Sequence, residues 1–233
     1  MKTSNYIIIS FSVVLFVGIF VLFTAAKIHS INEPKVIWTW QEKKLTPFSV
    51  VIAEPGADFS VQYEQNPKIG LSLQKGDTCI YPPFEIRNDT LFVHPYTVNV
   101  KQRSVIVFGA GIKTIQAKEN SMIWLKQFRG DTLVVKLNKA VFKHFPDISQ
   151  QNKFSLTLFA IESNIQLGSA SIQSLEVHLS KTEMTGRGTS ASNLTGVLND
   201  HSTLSIGQMR KINLETDSTS TYQFNNSRVV SLN

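Results

Sequence analysis

From Ile115 to Phe224 apolar and polar residues alternate with a period of two, and the alternation restarts at regular intervals. Ile115, Leu133, Leu156, Leu175, Leu194 and Ile212 are anchors spaced 18, 23, 19, 19 and 18 residues apart. Two residues past each stand Ala117, Val135, Leu158, Val177, Gly196 and Leu214, nearly all apolar. Such alternation describes a strand with one buried face. Five and six residues past the anchors come mostly polar pairs, among them Asn138-Lys139, Ser180-Lys181 and Asn199-Asp200. Their short side chains favour turns. A large apolar residue then returns: Trp124, Phe142, Ile165, Met184, Leu204, Tyr222. Each unit reads strand, turn, strand, turn, and one such unit cannot bury its apolar face alone. The pattern therefore predicts a parallel β-helix or solenoid of about six coils over 112–225, with 226–233 as a tail.

Upstream, 45–111 reads as a β-rich N-terminal half of the same domain. Its strand-like runs are Phe48–Ala53, Phe59–Tyr63, Ile69–Leu73, Thr90–His94, Thr97–Val100 and Ser104–Phe108. Pro55-Gly56, Asn66-Pro67, Lys75-Gly76-Asp77, Pro82-Pro83 and Asn88-Asp89 separate them. In the linker 27–44, alternation places Trp38 and Trp40 on one face of a strand. Residues 6–26 carry no charge, and about 21 residues of helix span the roughly 30 Å of a bilayer core. This predicts a retained transmembrane anchor after a short tail, 1–5. Thr24-Ala25-Ala26 supplies the alternative, a cleaved signal peptide. In either case the remaining residues form the working part, expected outside the cytoplasm.

Charge changes the picture next. Residues 101–153 hold ten Lys/Arg against three acids, which gives that window +7 and leaves −1 for the rest of a chain whose net charge is +6. A local excess of this kind suits an anionic partner. Cys79 is the sole cysteine, so no intrachain disulfide forms, and its apolar flank reads as a buried strand. His29, His94, His144, His178 and His201 show no metal-ligand spacing. Asp200-His201-Ser202 lacks the strand-to-helix elbow and oxyanion donors of a hydrolase triad. Arg129-Gly130-Asp131 reads as a turn between coils.

The order Phe48-Ser49-Val50-Val51-Ile52, Asp89-Thr90-Leu91-Phe92-Val93, Ser104-Val105-Ile106-Val107 and Ile112-Lys113-Thr114-Ile115-Gln116-Ala117, followed by Leu-x-Val-x-Leu coils, resembles a bacterial envelope family. It is the auto-transporter adhesin family with a head GIN domain, and the likeness covers roughly 45–225 as a pattern without an invariant motif. The resemblance implies an all-β, right-handed parallel solenoid, usually exported, with no catalytic residues to carry over. The chain diverges where that family favours Gly-Ala or Gly-Ser after the strand. Here stand Asn138-Lys139-Ala140, Ser180-Lys181-Thr182 and Asn199-Asp200-His201.

These readings point to a non-enzymatic, membrane-tethered binding or structural module of the cell envelope, adhesin-like, with no catalytic, cofactor or metal site. Its expected partners are the membrane, through 6–26, and an anionic envelope polysaccharide or lipid; nucleic acid is not among them. The alternatives are a polysaccharide-active enzyme on the same scaffold and an envelope signalling subunit. The enzyme would need acids at equal offsets in adjacent coils, and the sequence supplies none. The candidate ligand residues are Lys126, Arg129, Lys136, Lys139, Lys143 and Phe145. The long gap between Leu133 and Leu156 predicts a loop over 143–153 with Phe145 at its tip, ringed by those cations. Finally Lys139, Glu162, Lys181 and Asp200, six past their anchors, alternate in sign and predict a charge ladder along one edge.

Overall fold

The structure, a computed structural model of the chain, describes residues 2–32, 37–76, 83–95, 102–145, 153–225 and 231–232. It divides into two units, Met1–Ile37 and Trp38–Asn233. The first holds one α-helix, Lys2–Asn32. Within it Ser10–Lys27 is long and apolar enough to cross a membrane.

The second unit is all β, and its strands join in one sheet that winds into a solenoid of about five turns. One parallel ladder stacks Thr90–Val93, Val50–Ala53, Thr114–Ala117, Thr132–Asn138, Ser155–Ile161 and Ser171–Ser180. It continues into the second halves of Glu183–Asn199 and Thr203–Thr216. A second ladder stacks Gln102–Phe108, Asp58–Gln62, Met122–Gln127, Val141–His144 and Asn164–Leu167. It runs on through the first halves of the same two long strands to Thr221–Phe224. The N-terminal half thus threads into the stack, with Val50–Ala53 between two later rungs. Antiparallel strands close that end: Lys68–Gln74 pairs with Gln102–Phe108 and Trp38–Lys44, and Phe84–Arg87 pairs with Thr90–Val93. Trp40 lies in this cap over Gly70, where a Cβ would collide with the indole, and meets Phe108 edge-on at 6.1 Å.

Inward positions form stacked apolar columns. Leu133, Leu156, Leu175, Leu194 and Ile212 are buried one above another, as are Ile123, Phe142, Ile165, Met184 and Leu204. Two assignments from the alternation shift. Ile115 pairs with Val135, not Leu133, since a slip of two residues keeps the same face and leaves the pattern unchanged. Ile123, not Trp124, fills the second column; a slip of one flips the face, and Trp124 points outward. A third short ladder, Ser171–Ser190–Gln208 with Ile172–Ala191–Met209 beside it, was not visible in a two-strand reading. It lies inside strands of up to 17 residues, where only a register shift between Gly186 and Ser190 marks the corner.

The corner between the two main ladders explains the polar pairs. Asn120, Lys139, Glu162, Lys181 and Asp200 adopt φ of 58°, 52°, 49°, 49° and 56°. A left-handed residue is required once per coil, which suits Asn and Asp and costs Lys or Glu about 1–2 kcal/mol. After Glu162 and Lys181 the next residue, Ser163 or Thr182, turns a hydroxyl into the stack; after Asp200 a second left-handed residue, His201 with φ of 65°, comes first and Ser202 takes that place. Ser163 Oγ accepts from Ala140 N–H at 3.2 Å, Thr182 Oγ1 from Ser163 N–H at 3.2 Å and Ser202 Oγ from Thr182 N–H at 3.3 Å. Each hydroxyl donates back to its own turn, at Ile161, Ser180 and Asn199 carbonyls. Outside this corner runs the expected charge ladder: Lys139 lies 3.5 Å from Glu119 and 3.9 Å from Glu162, and Lys181 3.6 Å from Glu162. It starts one coil earlier than predicted, and Asp200 instead accepts from Ser180 Oγ at 2.7 Å.

Candidate functional site

Strand Val141–His144 puts Lys143 outward and His144 inward, in register with Gln166 and Leu167. Lys143 and His144 therefore belong to a rung of the solenoid rather than to a protruding loop. Phe145 also stays on the stack, its N–H donating to the Leu125 carbonyl at 3.2 Å. Positions 146–152, where the sequence predicts a loop, lie outside the described residues, as does Cys79.

On the outer face of the second ladder Lys143 is level with Trp124. Its Nζ sits 4.4 Å above the Trp124 ring centroid, within the range of a cation–π contact. Phe145 flanks the same indole at 5.8 Å with a 31° tilt and is half-exposed. Gly168 makes room for it, since a Cβ there would stand 3.1 Å from Phe145 Cδ1. Lys126 is half-buried at the end of the same strand as Trp124. Along the axis the row continues outward through Gln166, Thr185, Ser205 and Gln223. The Asp58 carboxyl opposes this cationic character: desolvation pushes its pKa up, and the Lys143 charge pulls it partly back.

Of the six predicted residues, Lys143 and Phe145 converge on Trp124. Lys136 projects from the other ladder, beside Gln116 and Phe159. Lys139 is held in the corner by Glu119 and Glu162. Arg129 Cζ lies 5.2 Å over the Tyr63 ring. Sequence reasoning missed Trp124 because it counted the residue into the core. A β-pair of Ile123 and Trp124 leaves the choice of face open until the register is known.

Under the platform His144 is 2% exposed. Its Nδ1 lies 3.1 Å from the Leu125 carbonyl; a carbonyl only accepts, so that nitrogen carries the proton. Nε2 is buried without a hydrogen-bond partner, and the ring meets Phe154 edge-on at 5.8 Å. Burial lowers the His144 pKa, opposed by the Leu125 bond. A second outward cluster joins Phe159 and His178, stacked at 4.7 Å, with His178 Nε2 2.9 Å from Glu176. Among the described residues no three His, Cys, Asp or Glu side chains converge as a metal ion would require.

No family model matches the chain, and no curated protein matches its sequence. Solved structures match its fold. One is a "putative adhesin" from Bacteroides fragilis, 11% identical, with a TM-score of 0.54 over 85% of this chain and 97% of that one. A "putative adhesin" from Parabacteroides merdae is 13% identical, with a TM-score of 0.44 over 82% and 95%. A "putative lipid binding protein" from Parabacteroides distasonis is 11% identical, also with a TM-score of 0.44, over 84% and 96%.

Proposed function

We propose that this chain is a non-enzymatic binding module of the bacterial cell envelope, anchored by its N-terminal helix and taking an acidic polysaccharide on the Trp124 platform. The observation that carries the reading is Lys143 Nζ at 4.4 Å over an outward Trp124, with Phe145 alongside. Among the described residues the inward columns are mainly Leu, Ile, Val, Phe and Met, and the buried His144 is closed off from solvent. An outward indole beside a cation supplies an apolar surface for a sugar ring and a charge for its acidic group, a combination that salt weakens. The apolar helix supports a signal or anchor role. The fold likeness to the Bacteroides fragilis putative adhesin agrees with an adhesin-like module. Membership in the head GIN family, as a divergent member, is part of the same proposal.

Retention on immobilised polygalacturonate and on anionic vesicles, at low and moderate salt, tests it. The Lys136/Lys139/Lys143→Glu triple variant should weaken retention, and Lys143→Glu alone should account for most of that loss, because of the three only Lys143 stands on the platform. Trp124→Ala should do the same at every salt concentration. Full retention by a folded triple variant removes the basic face from consideration, and retention on vesicles alone would make the partner a lipid. A C-terminal reporter should be exported and the protein should resist alkaline washing. A mature chain beginning at Lys27 would instead show a cleaved signal.

A further inference from the structure

On the third face of the solenoid the chain forms a groove of about 660 Å³ lined by Lys153, Ser171, Ser190, Ser192, Gln208 and Arg210. Its floor is Ile172, Ala191 and Met209, which are buried core residues. Ser171, Ser190 and Gln208 occupy successive rungs. Lys153 precedes Phe154, whose carbonyl accepts from Gln173 N–H at 2.9 Å, so Lys153 and Arg210 stand at opposite ends of the groove. At about 4.8 Å per rung that separates them by roughly 14 Å along the axis. Both are exposed, neither makes an ion pair with a described residue, and no carboxylate lines the groove among the described residues.

We infer that this groove is a second binding site, separate from the Trp124 platform, for an acidic oligosaccharide lying along the solenoid axis. Three Ser hydroxyls and a Gln amide supply donors and acceptors matched to sugar hydroxyls. Arg210 presents a planar fork that binds a carboxylate through two parallel bonds, and Lys153 a point charge at the other end. The volume is that of an oligosaccharide-sized site rather than of a single ion. Among the described residues the lining holds no acid or imidazole, which suits binding.

The test is calorimetric titration of hexagalacturonate into the full chain in uncharged detergent, in the Trp124→Ala background so that the platform does not contribute. Saturable binding is expected, with maltohexaose at least tenfold weaker. Arg210→Gln should weaken binding about tenfold, Lys153→Gln three- to tenfold, and Arg210→Lys should fall between wild type and Arg210→Gln. Circular dichroism of these surface variants should match wild type. The inference is overturned if the Trp124→Ala chain shows no saturable binding, if the Lys153→Gln/Arg210→Gln pair binds within twofold of its parent, or if inorganic sulfate at the same concentration competes as well as the hexamer. Failure of the platform reads out separately, as polysaccharide retention that Trp124→Ala leaves unchanged in the Lys153→Gln/Arg210→Gln background.

Discussion

Gly196 occupies a column otherwise filled by Val135, Leu158, Val177 and Leu214. The alternation asks for an apolar side chain there, yet its φ is +143°, a conformation L-residues rarely adopt. A Cβ would fall on the Val177 carbonyl oxygen and stand 2.7 Å from the Val177 carbonyl carbon and 2.8 Å from its nitrogen. These are backbone atoms of the neighbouring rung, so no rotamer change clears them. Gly196→Ala therefore carries backbone strain of about 1–3 kcal/mol. Moving the rung aside weakens one or two ladder hydrogen bonds at about 0.5–1.5 kcal/mol each. The more restricted unfolded chain returns roughly 0.4–1 kcal/mol. Taken near mid-range, these contributions give a net loss of about 2–4 kcal/mol.

Because coils contact mainly their neighbours, this loss should appear locally rather than as one cooperative transition. Hydrogen exchange resolved by peptide is the suitable assay. Amides in Thr203–Thr216 should exchange roughly 30- to 1,000-fold faster in Gly196→Ala, while those in Thr132–Asn138 change little. Val197→Ala, an adjacent outward position, serves as control and should stay within a few fold. Exchange in Thr203–Thr216 within threefold of wild type would refute the backbone argument.

Other consequences are as direct. His144 is held neutral by burial, so its folded pKa lies below the ordinary value; its contribution to stability is complete above about pH 6.5 and is lost as pH falls from there through the folded pKa. The chain should be less stable to urea at pH 5 than at pH 7.5, and His144→Leu should flatten that slope, the Leu125 carbonyl keeping its bond from Phe145. An unchanged slope would show that His144 does not titrate in this window. Thr182→Val removes both the acceptor for Ser163 N–H and the donor to Ser180 at a buried corner, and thermal unfolding should report a loss of about 1–3 kcal/mol. Lys139→Glu sets three acids in a row with Glu119 and Glu162; as all are about half-exposed, the cost should stay under about 1 kcal/mol and fade in molar salt. Asp58→Asn should strengthen retention on acidic polysaccharide, since it removes the one described carboxylate that opposes Lys143 on the platform.

The solenoid was legible because burial imposes period two within a rung and turn chemistry marks one corner of each coil. Leu133, Leu156, Leu175, Leu194 and Ile212 could be aligned by eye for that reason. The third face was not legible: Ile172, Ala191 and Met209 are single inward residues in continuous strands, with no turn cluster to announce them. The corner was half legible. Asn138-Lys139-Ala140 departs from a Gly-Ala pattern, yet the same left-handed residue is present, carried by Lys, Glu and Asp. Ser163, Thr182 and Ser202 lie beyond the polar pairs that mark the turn, and only the fold shows that they form a buried hydroxyl column. Of the basic residues, only the register separates Lys143 from Lys136 and Lys139. All three lie within eight positions of one another in sequence, and the fold sends them to an outer face, the opposite ladder and a corner.

That dispersal has a bearing on what the molecule recognises. A solenoid converts a sequence interval of nineteen or so residues into one rung, about 4.8 Å of axis. Outward side chains at equal offsets therefore form rows, and a contact surface is written by residues far apart in the chain. Trp124, Lys143, Gln166, Thr185, Ser205 and Gln223 make one such row; Ser171, Ser190 and Gln208 make a shorter one on another face. The first row carries its cation near one end, at Lys143, and the groove beside the second carries Lys153 and Arg210 at its two ends, so neither forms a ring. A compact charged ligand would use one end and leave the row idle. An extended ligand carrying hydroxyls along its length and acidic groups at intervals engages the whole row, and this is the geometric reason for preferring a polysaccharide over an isolated anion on both faces.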